Sequence, residues 1–202
     1  MLCYAITERT RYGGGEPERC EAVLENVRQW AAQGIAFIQM REKDLAAAEQ
    51  EKLAQAMQKI LDSTGSRLLV NSRADVALSA GAAGVHLTSA PGGLTPEQVR
   101  LLYARAGRPA PVVSVSCHTL HEVERAREQQ LDFILFGPVF GKTVAGRMVT
   151  PAAGLEALRA ACAAAGTVPV LALGGVTAEN SADCLAAGAA GIAGITLFSG
   201  KD

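Results

Sequence analysis

Short apolar runs and longer amphipathic stretches alternate along this chain from end to end. The runs Cys3–Thr7, Ala36–Arg41, Arg67–Asn71, Gly84–Thr88, Val112–Cys117, Asp132–Phe136, Val168–Leu173 and Gly191–Leu197 have the aliphatic, β-branched character of buried strands. Between them, Glu18–Gln33, Ala46–Asp62, Pro96–Ala106, Leu120–Gln129, Pro151–Ala164 and Ala178–Ala187 repeat apolar positions at the helical period, and Arg73–Ala80 reads as a shorter helix. Strict alternation of this kind predicts a parallel sheet with helices packed outside it. Eight strands are enough to close an α/β (β/α)8 TIM barrel, and an open doubly wound sheet shares the same local pattern. No helical pattern follows the eighth strand, so an eighth helix is expected to be missing or truncated. The outer face of that strand would then lie bare or meet a second copy, which makes a homodimer the expected assembly.

Composition narrows the picture. At 202 residues the chain is read as a single domain, 1–202. Nineteen Lys and Arg stand against 20 Asp and Glu, a net charge of −1, which argues against nucleic acid or an anionic membrane as the main partner. No apolar stretch approaches the roughly 18 residues that span a bilayer. The start, MLCYAITERT, is too brief an apolar run for a signal peptide. Cys3, Cys20, Cys117, Cys162 and Cys184 are scattered and form no CxxC pair. They read as reduced thiols, and the expected location is the cytoplasm.

Candidate chemistry collects at predicted strand ends, where enzymes of this architecture act. Val112–Cys117 delivers Ser116 and His118, with Thr119 placed to cap the next helix. His118 is the first candidate for proton transfer near neutral pH. Cys117 falls on the opposite face and is read as packing, His121 as solvated on its helix, and His86 as either inside the barrel or between layers. In QMREK, Gln39, Arg41 and Lys43 alternate and so share one face. Two neighbouring cations there call for phosphate or another anion, unless a carboxylate such as Glu8 neutralises them or Lys43 reaches solvent. Gly174-Gly175 after the seventh strand, and Ile195-Thr196 in the eighth, suit backbone N–H contacts to a phosphate. The glycine-containing loops Thr10–Glu16 and Gly141–Thr150 would lie over the same mouth.

Taken in order, YAIT, QMREK, LLVNSRADVAL, GVHL, SVSCHTLHEVERA, DFILFGPVF, LALGGVTAEN and GAAGIAGIT resemble the thiamin phosphate synthase and thiazole tautomerase superfamily over essentially the whole chain. The resemblance favours the closed barrel and implies action on the thiazole phosphate of thiamin biosynthesis. Its synthase branch joins a pyrimidine pyrophosphate to that thiazole and uses Mg²⁺, held by one acid after the strand-three asparagine and another after GVHL. Here those places hold Ser72 and Pro91, and Ala145 stands where the synthases carry a TxTK lysine, with Lys142 and Arg147 nearby. The tautomerase branch instead aromatises a thiazole carboxylate phosphate tautomer and needs neither metal nor leaving group. On that resemblance His118 is the general acid and base, Arg41 faces the carboxylate or the developing charge, and Gly175, Ile195 and Thr196 cradle phosphate. Gln39, Lys43, Asn71, Ser116 and Gly174 complete the expected substrate contacts. The expected function is therefore a metal-independent tautomerase with no cofactor. A synthase, with Asp75 or another acid taking over the Mg²⁺, and a non-catalytic thiazole phosphate binder are the alternatives.

Overall fold

A computed structural model describes the chain at residues 1–89, 92–144 and 147–199, and the side chains of 142–150 lie outside that description. Its strands are β1 (Leu2–Ile6), β2 (Phe37–Met40), β3 (Arg67–Asn71), β4 (Gly84–Thr88), β5 (Val112–Cys117), β6 (Phe133–Phe136), β7 (Lys142–Val144), β8 (Arg147–Thr150), β9 (Val170–Leu173) and β10 (Gly191–Gly194). The helices are α1 (Glu16–Ala32), α2 (Ala47–Leu61), α3 (Ala74–Ala80), α4 (Pro96–Arg105), α5 (Leu120–Arg127), α6 (Gly154–Ala165) and α7 (Ser181–Ala186). Eight of the strands pair in parallel and close a barrel in the order β1-β10-β9-β6-β5-β4-β3-β2. The open-sheet alternative is thereby excluded. Among the described residues no helix follows β10, and none is long and apolar enough to cross a membrane.

Alternation along each strand builds two cores. In β5, Val113, Val115 and Cys117 face outward into a layer shared with Val23, Val27, Trp30, Leu53 and Met57 of the helices. Val112 faces inward and joins Tyr4, Ile6, Leu69, Phe133, Leu135, Leu171 and Ala193 in the barrel interior. The inward set is bulky and aromatic toward the amino ends of the strands. Phe37 and Phe133 pack tilted with ring centroids 4.8 Å apart, and Tyr4 meets Phe133 edge-on at 5.5 Å. The barrel is thus a packed core with its free space at the opposite end. Burial raises the Cys117 thiol to about 12, which fits packing and not nucleophilic chemistry. All five cysteines are free.

Several element ends differ from the expectation, each for a local reason. The Gly141–Thr150 loop carries the antiparallel pair β7–β8, which has no counterpart in the predicted elements. The helix expected from Pro151 starts at Gly154, because Ala153 and Gly154 donate their N–H groups to the carbonyls of Pro138 and Val139. The helix expected from Ala178 starts at Ser181, since Asn180 turns its side-chain oxygen back to the Thr177 N–H at 2.8 Å. The last barrel strand stops at Gly194, which leaves Ile195 and Thr196 in the turn above it. That turn is held from outside, where the Trp30 indole donates to the Phe198 carbonyl at 3.0 Å.

Phe133 bridges both aromatic neighbours and is 2 % exposed. Phe133→Ala is expected to lower the unfolding free energy by about 3–5 kcal/mol, measured as a reduced urea midpoint.

Candidate active site

At the carboxyl ends of the strands lies a cavity of about 370 Å³ lined by Ile6, Gln39, Arg41, Lys43, Asn71, His86, Leu87, Thr88, Ser116, His118, Gly137, Pro138, Leu173, Gly174 and Ile195. Every barrel strand contributes to it, either from its last residues or from the residue just beyond. Among the described residues two cations and two histidines line it, and no carboxylate does. An apolar groove of about 440 Å³ between α1 and α2 lies on the flank and offers no comparable convergence of polar groups.

His118 sits in the turn between β5 and α5. Two observations fix it. Glu122 accepts the His118 N–H at 2.5 Å and the Thr119 N–H at 3.0 Å, while Thr119 caps the Glu122 N–H at 3.2 Å. This capping box locks the turn that carries the imidazole. The ring itself places Nδ1 2.5 Å from the Gly137 carbonyl oxygen. A carbonyl only accepts, so Nδ1 carries the proton, and Nε2 of the neutral ring keeps the lone pair. Among the described residues Nε2 has no hydrogen-bond partner.

His86 settles inside the barrel, the first of the two places its sequence position allowed. Its Nδ1 lies 2.8 Å from Ser114 Oγ and its Nε2 2.8 Å from Ser116 Oγ. Burial first, and then the nearby Arg41 charge, push it down from 6.5 to about 3. It is therefore a neutral spacer that holds Ser116 at the floor of the cavity. Beside it the Gln39 amide donates to Asn71 Oδ1 at 2.9 Å.

Arg41 and Lys43 continue the alternation past the end of β2 and both line the cavity, Lys43 from an exposed position that also reaches solvent. Among the described residues neither has a carboxylate within ion-pair distance; Glu8 faces Arg11 instead. Gly174 and Ile195 line the cavity, whereas Gly175 and Thr196 do not. The two glycines also have a packing reason. Both have positive φ, 91° and 64°, and a Cβ would come within 2.6 Å of Pro138 at Gly174 and within 2.7 Å of Phe140 at Gly175. Close packing of the β9 turn on the 137–140 segment requires them.

A magnesium site fits the described donors poorly. Ser72 occupies the strand-three position, and Asp75 is held by Arg73 at 2.8 and 2.5 Å, which keeps its carboxyl below the usual range. Glu42 is buried against Arg9. Among the described residues no group of three or more His, Cys, Asp or Glu could hold a metal ion. Pro91 and Ala145, and the side chains of Lys142 and Arg147, lie outside the described residues.

The family model described as thiamine monophosphate synthase matches residues 3–198. The chain belongs to that family. A putative thiamine-phosphate synthase of Geobacter sulfurreducens is 40% identical over 198 residues, covering 96% of this chain and 85% of the relative. A thiamine-phosphate synthase of Moorella thermoacetica is 34% identical, covering 95% and 85%. Among solved structures, the thiamine phosphate pyrophosphorylase of Pyrococcus furiosus superposes with a TM-score of 0.78 at 27% identity, covering 100% of this chain and 89% of that one. For this member of the thiamine monophosphate synthase family, Glu122, Gly137 and Pro138 are site elements that sequence reading passed over. The T-x-x-E spacing of Thr119 and Glu122 was a readable signal; a backbone carbonyl such as that of Gly137 has none.

His86 also has a pH consequence. Its folded value, about 3, lies below its ordinary 6.5, so between these only the unfolded chain takes up the proton. The contribution is whole above 6.5 and is lost as pH falls toward 3. His86→Asn is expected to show a shallower loss of stability than the parent chain over that window, read from urea midpoints at a series of pH values.

Proposed function

We propose that this member of the thiamine monophosphate synthase family is a thiazole phosphate tautomerase that works by proton transfer at His118 without a metal. The observation that carries this reading is the pairing of a base with a cationic mouth. His118 Nδ1 is tied to the Gly137 carbonyl, and among the described residues Nε2 has no hydrogen-bond partner and the cavity holds Arg41 and Lys43 and no acid. Nε2 takes a proton from the ring carbon of the non-aromatic tautomer. The resulting imidazolium returns a proton to the exocyclic carbon of the substituent, whose double bond shifts into the ring, so the ring becomes aromatic and no proton is gained or lost overall. The Nδ1–H bond to the carbonyl persists through both states, because Nδ1 is a donor in each. Arg41 faces the substrate carboxylate and the charge that develops as the proton leaves. Lys43, Asn71, Gln39 and Ser116 supply further polar contacts, and the Gly174 and Ile195 turns receive the phosphate.

The relatives favour a second reading. Their names are those of thiamine-phosphate synthases, and on names alone the transferase has the stronger support. For this chain that reaction would need Mg²⁺ held largely by the diphosphate itself, since the described acids are engaged elsewhere. The donor set is why we place isomerisation first. A non-catalytic binder is the remaining possibility, and the unengaged His118 Nε2 speaks against it.

One experiment separates the three. The protein is incubated with the thiazole carboxylate phosphate tautomer while aromatic absorbance is followed, and separately with thiazole phosphate plus pyrimidine pyrophosphate, with and without Mg²⁺. Isomerisation is expected without metal, and His118→Asn should lower its kcat by about 10²–10⁴. Mg²⁺-dependent condensation without isomerisation would establish the transferase instead. Binding without either reaction, unchanged by the substitution, would leave only the binder.

A further inference from the structure

The residue between the two mouth cations has a role that neither reaction assigns. β2 ends at Met40, yet Arg41 and Lys43 still line the cavity, Lys43 from its exposed rim, while Glu42, 5 % exposed, turns its carboxylate to Arg9. No strand ladder enforces that alternation, and a set of long-range contacts does so instead. Thr7 Oγ1 accepts the Arg41 N–H at 3.0 Å. The Glu42 carboxylate accepts the Arg9 N–H with both oxygens, at 3.2 and 3.1 Å. The Gln50 amide donates to the Glu42 and Leu45 carbonyls at 3.2 and 2.9 Å. The Arg9 guanidinium, itself buried, then meets Glu42 at 3.5 Å, Asp44 at 2.7 Å and Glu16. Burial raises the Glu42 carboxyl, and the contacts from Thr7 and Arg9 oppose that rise. Only Arg9 and Glu42 of this cluster are buried, and a buried ion pair is a poor source of stability but a means of fixing one geometry.

We propose that Glu42 and Arg9 form a clasp between the first two strand-end loops that aims Arg41 and Lys43 into the mouth, which makes both of them positioning residues for anion binding. This rests on the mouth being the anion site of the proposed function, and on neither reaction in particular. The two cations must converge on one anion to act together, and each is a long flexible side chain on a loop. Fixing the backbone between them removes the freedom that would let them diverge.

Binding of inorganic pyrophosphate, measured by calorimetry at constant ionic strength, tests the clasp without requiring turnover. Glu42→Ala is expected to raise the Kd about tenfold, as loss of a supporting contact does. Glu42→Gln should lose less, because its amide oxygen keeps one acceptor for the Arg9 N–H. Arg9→Lys should weaken binding as well, since a point charge cannot replace the forked contacts. The decisive comparison is a double-mutant cycle. In an Arg41→Ala or Lys43→Ala background the loss caused by Glu42→Ala should shrink, because one of the aimed groups is gone. The clasp is refuted by a Kd within about twofold of the parent in Glu42→Ala, or by an undiminished loss in both backgrounds. Should Glu42→Ala fail to fold, Glu42→Gln and Arg9→Lys carry the same cycle. Intact pyrophosphate coupling with no isomerisation would overturn the proposed reaction alone, and the converse would overturn the clasp alone.

Discussion

Closure of eight parallel strands is the constraint from which the rest of the molecule follows. A closed sheet has an inside too narrow for anything but side chains, and alternation decides which residues enter it. Along β5 the inward positions are Val112, Ser114 and Ser116, so the same strand is apolar at its base and polar at its mouth. The neighbours match this gradient. Phe37, Phe133 and Tyr4 fill the lower interior, His86 spans Ser114 and Ser116 above them, and Gln39 and Asn71 pair near the top. Polar groups at the mouth therefore stand on a rigid, dry base, which is what precise chemistry needs.

The distribution of acids is as informative as that of the bases. Glu42 lies on the loop after β2, and Asp75 and Glu122 lie in the first turns of α3 and α5, close in sequence to mouth residues. Each is engaged: Glu42 with Arg9, Asp75 with Arg73, and Glu122 with the first turn of α5. The carboxylates thus shape the loops and leave the cavity positive. Family membership is shown by the match over residues 3–198, and the filling of the acid positions within that family is what directs the functional reading toward proton transfer.

Much of this was legible in the sequence, and the exceptions share a cause. The bounds of β3, β4 and β5 could be read directly, because short runs dominated by aliphatic and β-branched residues lie between turn residues. Gln39, Arg41, Lys43, Asn71, Ser116 and His118 could be placed at one mouth, since strand periodicity and a closed barrel determine where strand ends meet. What sequence could not reveal were contacts between loops distant along the chain. Arg9 and Glu42 are 33 residues apart, and His118 and Gly137 are 19 apart. Neither pair has a local pattern. The double glycine could be found in the sequence, but the packing of Gly174 on Pro138 and of Gly175 on Phe140 is apparent only in three dimensions. The β7–β8 pair was likewise hidden in a loop rich in polar residues.

The exposure of His118 has an isotopic consequence for the proposed chemistry. An imidazolium in open contact with water trades its hydrogen with the solvent, so the atom removed from the ring need not be the atom returned to the substituent. Such a site moves a vacancy and not a particular nucleus, and the aromatic product would carry the isotopic signature of the surrounding water.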